Sequence, residues 1–327
     1  MQLAGVLEGA RKVIRVCARV RPQERVLVVA DTDAVSLAVA EALAAAALEV
    51  TPEVATMVMT PRAADGDEPP ALVATALRAA DVALLPVSYS ISHSAAVHRA
   101  CAEGTRVLSL PAMTSPQMLV RGGPEADFDA QAPRCRAVAD RLTAASSAHL
   151  TTPAGTDCTF DLRGRQGNAH DGLLDRPGKF SAFPWIEANI APVEGSAQGV
   201  LVFDGSIPNL RLGGLLHTLV VCTVEGGRIV RVEGGPEAEA LRRVWETLGD
   251  AAAYTVAQLA IGLNPQILTL TGRWTDHGAF GTVHIGIGTS ANLGGATRAA
   301  AHLDGTMFRP TLRLDGEALL VDGHLHL

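Results

Sequence analysis

The first 150 residues alternate between segments typical of β-strands and segments typical of helices, and this order restricts the fold more than any other feature. The apolar run 25–30 leads into a polar turn and then into residues 34–48, which have helical periodicity and strong helix formers. Further strands are predicted at 54–59, 81–86 and 105–110, and further helices at 71–80, 94–102 and 129–147. Because strands that alternate with helices pair in parallel, the pattern predicts a three-layer α/β domain with a parallel sheet.

From about residue 150 the sequence changes to short apolar segments separated by glycine and proline. Strands are predicted at 158–162, 199–203, 217–224 and 228–232, and helices at 236–248 and 251–260. We therefore expect two domains, an N-terminal α/β domain at 1–149 and a C-terminal α+β domain at 150–327 with a mixed or antiparallel sheet.

Charge and composition exclude several classes of protein. The chain has 27 Lys and Arg against 34 Asp and Glu, a net charge of −7, and no basic run, so we expect no nucleic-acid partner. No uncharged stretch approaches the roughly 18 residues of a spanning helix and the start lacks a secretion signal, so we expect a cytoplasmic protein without a membrane partner. The five cysteines are scattered without a CxxC pair, which predicts core residues rather than disulfides or a zinc knuckle.

The turn after the first predicted strand argues against a nucleotide site. Asp31 and Asp33 stand where a dinucleotide-binding fold places its GxGxxG, and two carboxylates there would repel a pyrophosphate. No GxxxxGK[ST] occurs anywhere in the chain. Asp33 is better explained as the N-cap of the following helix.

Residue types that carry chemistry concentrate in the last third of the chain. His284 is followed within 21 residues by His302 and Asp304, on a glycine-rich backbone, which is the composition of a metal site. In an extended strand His302 and Asp304 project to the same face, so both can reach one ion. The alternatives are a solvated strand face for this pair and a hydrogen-bonded core histidine for His284.

Four segments in this order indicate a family: 184–199 (PWIEANIAPVEGSAQG), 258–265 (QLAIGLNP), 281–288 (GTVHIGIG) and 302–304 (HLD). Together they resemble the leucyl aminopeptidases of the aminopeptidase T/S type and a related branch, the iron-dependent 2,5-dihydroxypyridine ring-cleaving dioxygenases. The resemblance covers about residues 150–305. In the first half it is weak, and there it fits the dioxygenase branch best.

The two branches imply different ligand sets. The resemblance to the peptidases implies Glu187, His284, His302 and Asp304 as metal ligands, but Gln258 stands where those enzymes have a second glutamate, and their tyrosine is replaced by Ala291. The resemblance to the dioxygenases implies a histidine at the position of Gln258, with His302 and Asp304 as the other iron ligands. In that branch His284 would have to supply the third ligand.

The four metal ligands that the peptidase branch and this sequence share favour hydrolysis over two alternatives. Our first interpretation is a metal-dependent hydrolase of an amide or related C–N bond in a small molecule, not a general peptidase, with Glu194 as the candidate general base. The first alternative is a mononuclear Fe(II) ring-cleaving dioxygenase acting on a hydroxylated pyridine or similar ring. The second is a non-catalytic metal-binding relic. The predicted cofactor is a divalent ion, Fe(II), Zn, Mn or Co, and the resemblance implies a homo-oligomer.

Other polar residues are weaker candidates. His277 precedes the GTVH segment. It is a candidate either for supporting the metal ligands or for acting as a proton shuttle, and the alternative is surface placement. His93 lies at a strand-to-helix turn and is a candidate substrate contact, the alternative being a helix-start residue. Gln258 is a further candidate for substrate binding, and Lys179 and Arg163 are candidates for binding a substrate carboxylate.

Overall fold

The structure is a computed structural model that describes residues 2–327, with side chains from residue 5 onward. Among these residues no helix is both long and apolar enough to cross a membrane. The helices are α1 (Gln2–Lys12), α2 (Ala34–Leu48), α3 (Ala71–Ala79), α4 (Ala95–Ala102), α5 (Phe128–Ala144) and α6 (Pro236–Leu248). The strands are β1 (Val26–Asp31), β2 (Val54–Met59), β3 (Val82–Leu85), β4 (Arg106–Ser109), β5 (Ser147–Thr151), β6 (Asp157–Asp161), β7 (Asn168–His170), β8 (Phe180–Ala182), β9 (Glu187–Ile190), β10 (Gln198–Phe203), β11 (Val220–Glu225), β12 (Arg228–Gly234), β13 (Val256–Gly262), β14 (Val283–Gly288), β15 (His302–Met307), β16 (Thr311–Leu314), β17 (Glu317–Val321) and β18 (His324–Leu325).

The first compact unit, which comprises the chain up to residue 132 and residues 170–186, is built on a parallel sheet. Its strand order is β2-β1-β3-β4-β8, and every neighbouring pair is parallel. All residues of β1, β3 and β4 are buried, as expected for strands covered on both faces by helices. The predicted α/β architecture is confirmed in this unit.

Helix α2 begins as its sequence predicts. The side chain of Asp33 accepts hydrogen bonds from the backbone N–H groups of Val35 at 2.9 Å and Ser36 at 3.1 Å. Two of the N–H groups that a helix start leaves without partners are thereby satisfied, which stabilises the helix by about 1 kcal/mol. The predicted N-cap is confirmed, and the helix has the predicted bounds.

The second compact unit comprises residues 133–169 and 187–327 and contains two sheets. The larger sheet has the order β12-β11-β10-β6-β5-β16-β17-β18, and we call it sheet B. The smaller has the order β15-β14-β13-β9-β7, and we call it sheet C. The pairings of β9, β13, β14 and β15 are antiparallel, which agrees with the predicted α+β class. The two units interleave along the chain, and the domain division at residues 149 and 150 stays a prediction.

The predicted helix at 251–260 is wrong. Residues 251–254 form a single 3₁₀ turn, and β13 follows from Val256 to Gly262 as an inner strand of sheet C. The segment is rich in alanine, and its helix propensity is a weak force beside pairing with β9 on one side and β14 on the other. All seven β13 residues are buried, as expected for an inner strand.

The cysteines lie where core residues are expected. All five are free thiols; Cys101 is half-buried, and the other four are buried. Burial raises the pKa of Cys158 and Cys222 to about 12, so both stay protonated at neutral pH. Their interpretation as small packing residues is confirmed.

Candidate metal centre

Sheet C has one polar face and one apolar face. Across it, Asp304 of β15 lies opposite Gly286 of β14, which lies opposite Gln258 of β13. Since side chains alternate along strands and opposite residues share a face, the register places six polar side chains on one side. These are Glu187, Asn189, Gln258, His284, His302 and Asp304, and we call them, with His277 described below, the polar cluster. Each is at most 5% exposed.

Gly286 makes room for the cluster. A Cβ built at this position would lie 2.5 Å from His302 Nε2 and 2.9 Å from the Cβ of Gln258. These distances are shorter than carbon atoms tolerate, so any side chain would push the imidazole and the amide apart. Glycine at 286 therefore lets the side chains of two non-adjacent strands meet over the strand between them.

The imidazole of His302 is held by a backbone carbonyl. Its Nδ1 donates to the carbonyl oxygen of Thr289 at 2.7 Å, which leaves Nε2 facing the cluster. Two oxygens face Nε2, Oε1 of Gln258 at 2.9 Å and Oδ1 of Asp304 at 3.1 Å. A nitrogen between two acceptors requires positive charge, which a proton or a metal ion can supply.

Charge around Asp304 keeps it ionised despite burial. Desolvation opposes the charge on its carboxylate, but the neighbouring imidazoles of His302 and His277 hold the pKa of that carboxyl well below its usual range. Conversely, burial opposes a charge on His302, and the carboxylate of Asp304 outweighs it and raises the pKa of His302. Within the part of the chain that the structure describes, Asp304 Oδ1 is buried without a hydrogen bond of acceptable geometry.

Glu187 and His284 form the other half of the cluster. Asn189 Nδ2 donates to Glu187 Oε1 at 2.9 Å, and Gln258 Nε2 donates to the same oxygen at 3.4 Å. His284 Nε2 lies 3.7 Å from Glu187 Oε2. Burial lowers the pKa of His284 to about 4, so this imidazole is neutral at pH 7. Its Nδ1 has no hydrogen-bond partner among the described residues.

His277 joins the cluster from a 3₁₀ turn at 274–278. Its ring stacks on that of His284 with centroids 4.6 Å apart, and its Nε2 lies 3.8 Å from Asp304 Oδ2. Asp276 fixes the turn, since its buried carboxylate accepts hydrogen bonds from Ser206 Oγ and from the amides of Thr271 and Gly272. His277 is 4% exposed, which excludes the alternative of surface placement.

The donor types in the cluster fit a divalent ion. An imidazole nitrogen and a carboxylate oxygen 3.1 Å apart, with one buried carboxylate oxygen unsatisfied, are what a mixed nitrogen and oxygen site provides. Across residues 2–327, however, no three His, Cys, Asp or Glu side chains converge as a ready-made metal site. His302 and Asp304 are therefore the centre of the candidate site, and the structure brings Glu187 and His284 beside them; the role of these four as ligands stays a prediction.

Two further predicted residues of the second unit have other contacts. Glu194 forms an ion pair with Arg165 and accepts a hydrogen bond from the amide of Ala296 at 2.6 Å. Burial opposes its charge, but the amide of Ala296 and the charge of Arg165 lower the pKa of its carboxyl, which weakens it as a base. Arg163 is exposed and pairs with Asp161. Their catalytic and substrate-binding roles stay predictions that these contacts do not favour.

The other two predicted residues belong to the first unit. Lys179 is buried, and its Nζ donates to Asp171 Oδ1 at 2.9 Å, so its charge is already compensated. His93 is half-buried in the turn before α4, next to the N-cap Ser94. This is the position of a helix-start residue, and substrate contact by His93 or Lys179 stays a prediction.

Sequence reasoning missed Asn209, which braces the strand that carries His302 and Asp304. Its Nδ2 donates to the carbonyl of His302 at 3.1 Å, and its Oδ1 accepts from the amide of Asp304 at 2.9 Å. The side chain thus pairs with the edge strand β15 as a neighbouring strand would. Asn209 lies more than 90 residues before β15, so no local signal indicated it. Asn189 could have been found, because it lies two residues after Glu187 and would therefore share its face in an extended strand.

Comparison with known proteins identifies a dioxygenase family, and solved structures of similar fold. A family model described as NicX, 2,5-dihydroxypyridine 5,6-dioxygenase, matches residues 6–327. A 2,5-dihydroxypyridine 5,6-dioxygenase of Pseudomonas putida is 27% identical over 262 residues, covering 76% of this chain and 71% of that protein. The structure of 2,5-dihydroxypyridine dioxygenase from Pseudomonas putida KT2440 has a TM-score of 0.83 at 24% identity, over 99% of this chain and 97% of that chain. Wild-type AmpT from Thermus thermophilus has a TM-score of 0.73 at 16% identity over 100% of both chains.

These findings confirm the superfamily and correct the function expected first. The amide hydrolase is wrong, because the family model and the Pseudomonas relative are both dioxygenases, whereas the likeness to AmpT concerns the fold alone. The error has a chemical cause. Imidazole and carboxylate donors serve hydrolytic and oxidative metal ions alike, so the retained Glu187 and His284 could not distinguish the two reactions. The expectation of an enzyme that depends on a divalent metal ion is confirmed.

Proposed function

Because the chain belongs to the 2,5-dihydroxypyridine 5,6-dioxygenase family, we propose that it is a ring-cleaving dioxygenase acting on 2,5-dihydroxypyridine or a closely related hydroxylated ring. The observation that carries the proposal is the extent of the family match, residues 6–327, which includes all four strands of the polar cluster. The Pseudomonas relative with that activity supports the same substrate class. We expect iron(II) as the working ion.

His302 and Asp304 are the residues that would hold the ion, for the reasons of geometry and charge given above. The bound ion supplies the Lewis-acid and redox chemistry that lets an electron-rich ring react with dioxygen. The carbonyl of Thr289 orients the imidazole of His302, and the side chain of Asn209 holds the backbone of the strand that carries both residues.

We propose that His277 is the base that accepts the proton of a ring hydroxyl. A phenol-type ring becomes more reactive towards dioxygen when its hydroxyl loses a proton, so a base must stand nearby. His284 is a poor base, since burial lowers its pKa to about 4. His277 Nε2 lies 3.8 Å from Asp304 Oδ2, so this imidazole stands beside the residues that would hold the ion.

Oxygen consumption tests the proposal. Protein purified without air and loaded with iron(II) is mixed with 2,5-dihydroxypyridine, and oxygen uptake is recorded together with the loss of the substrate's ultraviolet absorbance. We expect one dioxygen per ring, with both atoms of ¹⁸O₂ recovered in the product. Fully loaded protein that consumes no oxygen with dihydroxypyridines or dihydroxybenzenes would contradict the proposal.

A pair of histidine variants ties the activity to the cluster. His302→Ala removes the imidazole between Gln258 and Asp304 and is expected to lose both bound metal and oxygen uptake, with an unchanged circular dichroism spectrum. His98→Ala is the matched control, because His98 is exposed on α4 in the first unit. If His302→Ala keeps stoichiometric metal, the ion binds elsewhere.

A further inference from the structure

The side-chain amide of Gln258 has a defined orientation. Glu187 is an acceptor, and it already binds the Nδ2 group of Asn189, so the Gln258 group that faces it must be the donor, Nε2. The carbonyl oxygen of Gln258 consequently faces the other way, towards Nε2 of His302. Gln258 therefore presents an oxygen atom, the metal-binding end of an amide, to the centre of the candidate site.

The distances within this group match those between neighbouring ligands of one ion. Gln258 Oε1 and His302 Nε2 lie 2.9 Å apart, and His302 Nε2 and Asp304 Oδ1 lie 3.1 Å apart. Adjacent ligands of an octahedral ion with bonds of about 2.1 Å are separated by about 3.0 Å. Around a tetrahedral zinc ion with bonds of about 2.0–2.1 Å the separation is about 3.3–3.4 Å. Gln258 Oε1, His302 Nε2 and Asp304 Oδ1 thus lie close enough together to bind one ion.

His284, in contrast, faces a different partner. Its Nε2 lies 3.7 Å from Glu187 Oε2 and its ring stacks on His277. Within residues 2–327 no three His, Cys, Asp or Glu side chains form a metal site. Among the side chains beside His302 and Asp304, Gln258 is the one whose oxygen faces His302 Nε2.

We propose that the amide oxygen of Gln258 completes a three-ligand site with His302 and Asp304, and that this site favours Zn²⁺ over Mn²⁺ and Fe²⁺ less than a site with a second imidazole would. One imidazole and two oxygens suit octahedral, oxygen-preferring ions, whereas a second imidazole would favour zinc. The proposed site differs from that of the dioxygenase branch, in which the resemblance implies a histidine at the position of Gln258. The inference rests on the proposed function only in taking a divalent ion as cofactor.

Counting the coordinated imidazoles tests the inference without any mutation. Mn²⁺ is added to metal-depleted full-length protein, and electron spin-echo envelope modulation reports how many histidine nitrogens bind it. We expect one, from His302. Two coordinated imidazoles would overturn the inference, because His284 or His277 would then be a ligand.

Affinity measurements on variants form the second test. Gln258→Leu removes the oxygen and is expected to weaken Mn²⁺ binding about tenfold or more, whereas Gln258→Glu keeps an oxygen and should bind at least as tightly. Gln258→His should shift the ratio of affinities towards Zn²⁺. Gln198→Leu on β10 is the matched control, since Gln198 lies in sheet B and accepts a hydrogen bond from the amide of Gly226 in the turn between β11 and β12. If His284→Ala loses Mn²⁺ and Gln258→Leu does not, the inference is wrong.

The two proposals fail separately. One coordinated imidazole without oxygen uptake on any dihydroxylated ring would refute the dioxygenase and leave the Gln258 site standing. Oxygen uptake by a protein with two coordinated imidazoles would refute the Gln258 site and leave the dioxygenase standing.

Discussion

The parallel sheet of the first unit and the polar face of sheet C are both buried, but they are buried at different cost. Strands β3 and β4 are covered on both faces, and Leu84 and Leu108 are fully buried in that packing, which removes apolar surface from water. The face of sheet C instead buries carboxylates, imidazoles and amides. Burying such groups is unfavourable unless each finds a partner, so a face of this kind is retained for chemistry rather than for stability.

The same difference separates what each region needs from its neighbours. An apolar strand packs against any well-shaped apolar surface, and local sequence is enough to indicate it. The polar face depends on single atoms, such as the carbonyl of Thr289 and the side chain of Asn209. Substitutions in the two regions should therefore move different observables, the free energy of unfolding in one and metal affinity in the other.

The largest expected change in stability comes from the parallel sheet. Leu84→Ala leaves a cavity at a fully buried position of β3 and should lower the free energy of unfolding by about 2–5 kcal/mol. Chemical denaturation followed by circular dichroism measures this loss, and Mn²⁺ titration of the folded variant should give the affinity of the wild type. If Leu84→Ala also lost metal affinity, the two regions would not control stability and metal binding separately.

The largest expected change in the site comes from Gly286. The Cβ of Gly286→Ala would collide with His302 Nε2, so we expect metal-dependent oxygen uptake to fall by about 10²-fold, because displacing a reacting group by about 1 Å has this effect. Gly5→Ala on α1 is the control, since a Cβ there meets nothing within 4 Å. Full activity in Gly286→Ala would show that the imidazole does not need its position above β14.

Local signals explain which parts of both regions could be predicted. The bounds of α2 and the cap at Asp33 follow from residues close together in the chain, and so does the shared face of His302 and Asp304 on one strand. Strand β13 was mistaken for a helix because its identity depends on pairing with β9 and β14, which are distant in sequence. The orientation of the Gln258 amide likewise depends on Glu187, 71 residues away.

Asn209 tests whether distant polar contacts act on the site or on the fold. Asn209→Ala removes both hydrogen bonds to β15 and should weaken Mn²⁺ binding about tenfold, the effect typical of groups that orient metal ligands. The unfolding midpoint should change little, since Asn209 is only half-buried. Asn209→Asp keeps the acceptor for the amide of Asp304 and loses the donor, so its affinity should lie between those of Asn209→Ala and the wild type. Unchanged metal affinity in Asn209→Ala would make Asn209 a packing residue.

The smallest expected effect is at the cap of α2, and it sharpens the comparison because Asp33 is polar but belongs to the apolar region. Asp33→Ala leaves the amides of Val35 and Ser36 without their acceptor and should lower the free energy of unfolding by about 1 kcal/mol. Asp33→Ser restores a capping oxygen and should recover most of that loss. Metal affinity should stay that of the wild type in both variants. If removing the polar side chain of Asp33 changes stability alone, metal binding depends on the polar cluster of sheet C and not on polar residues in general.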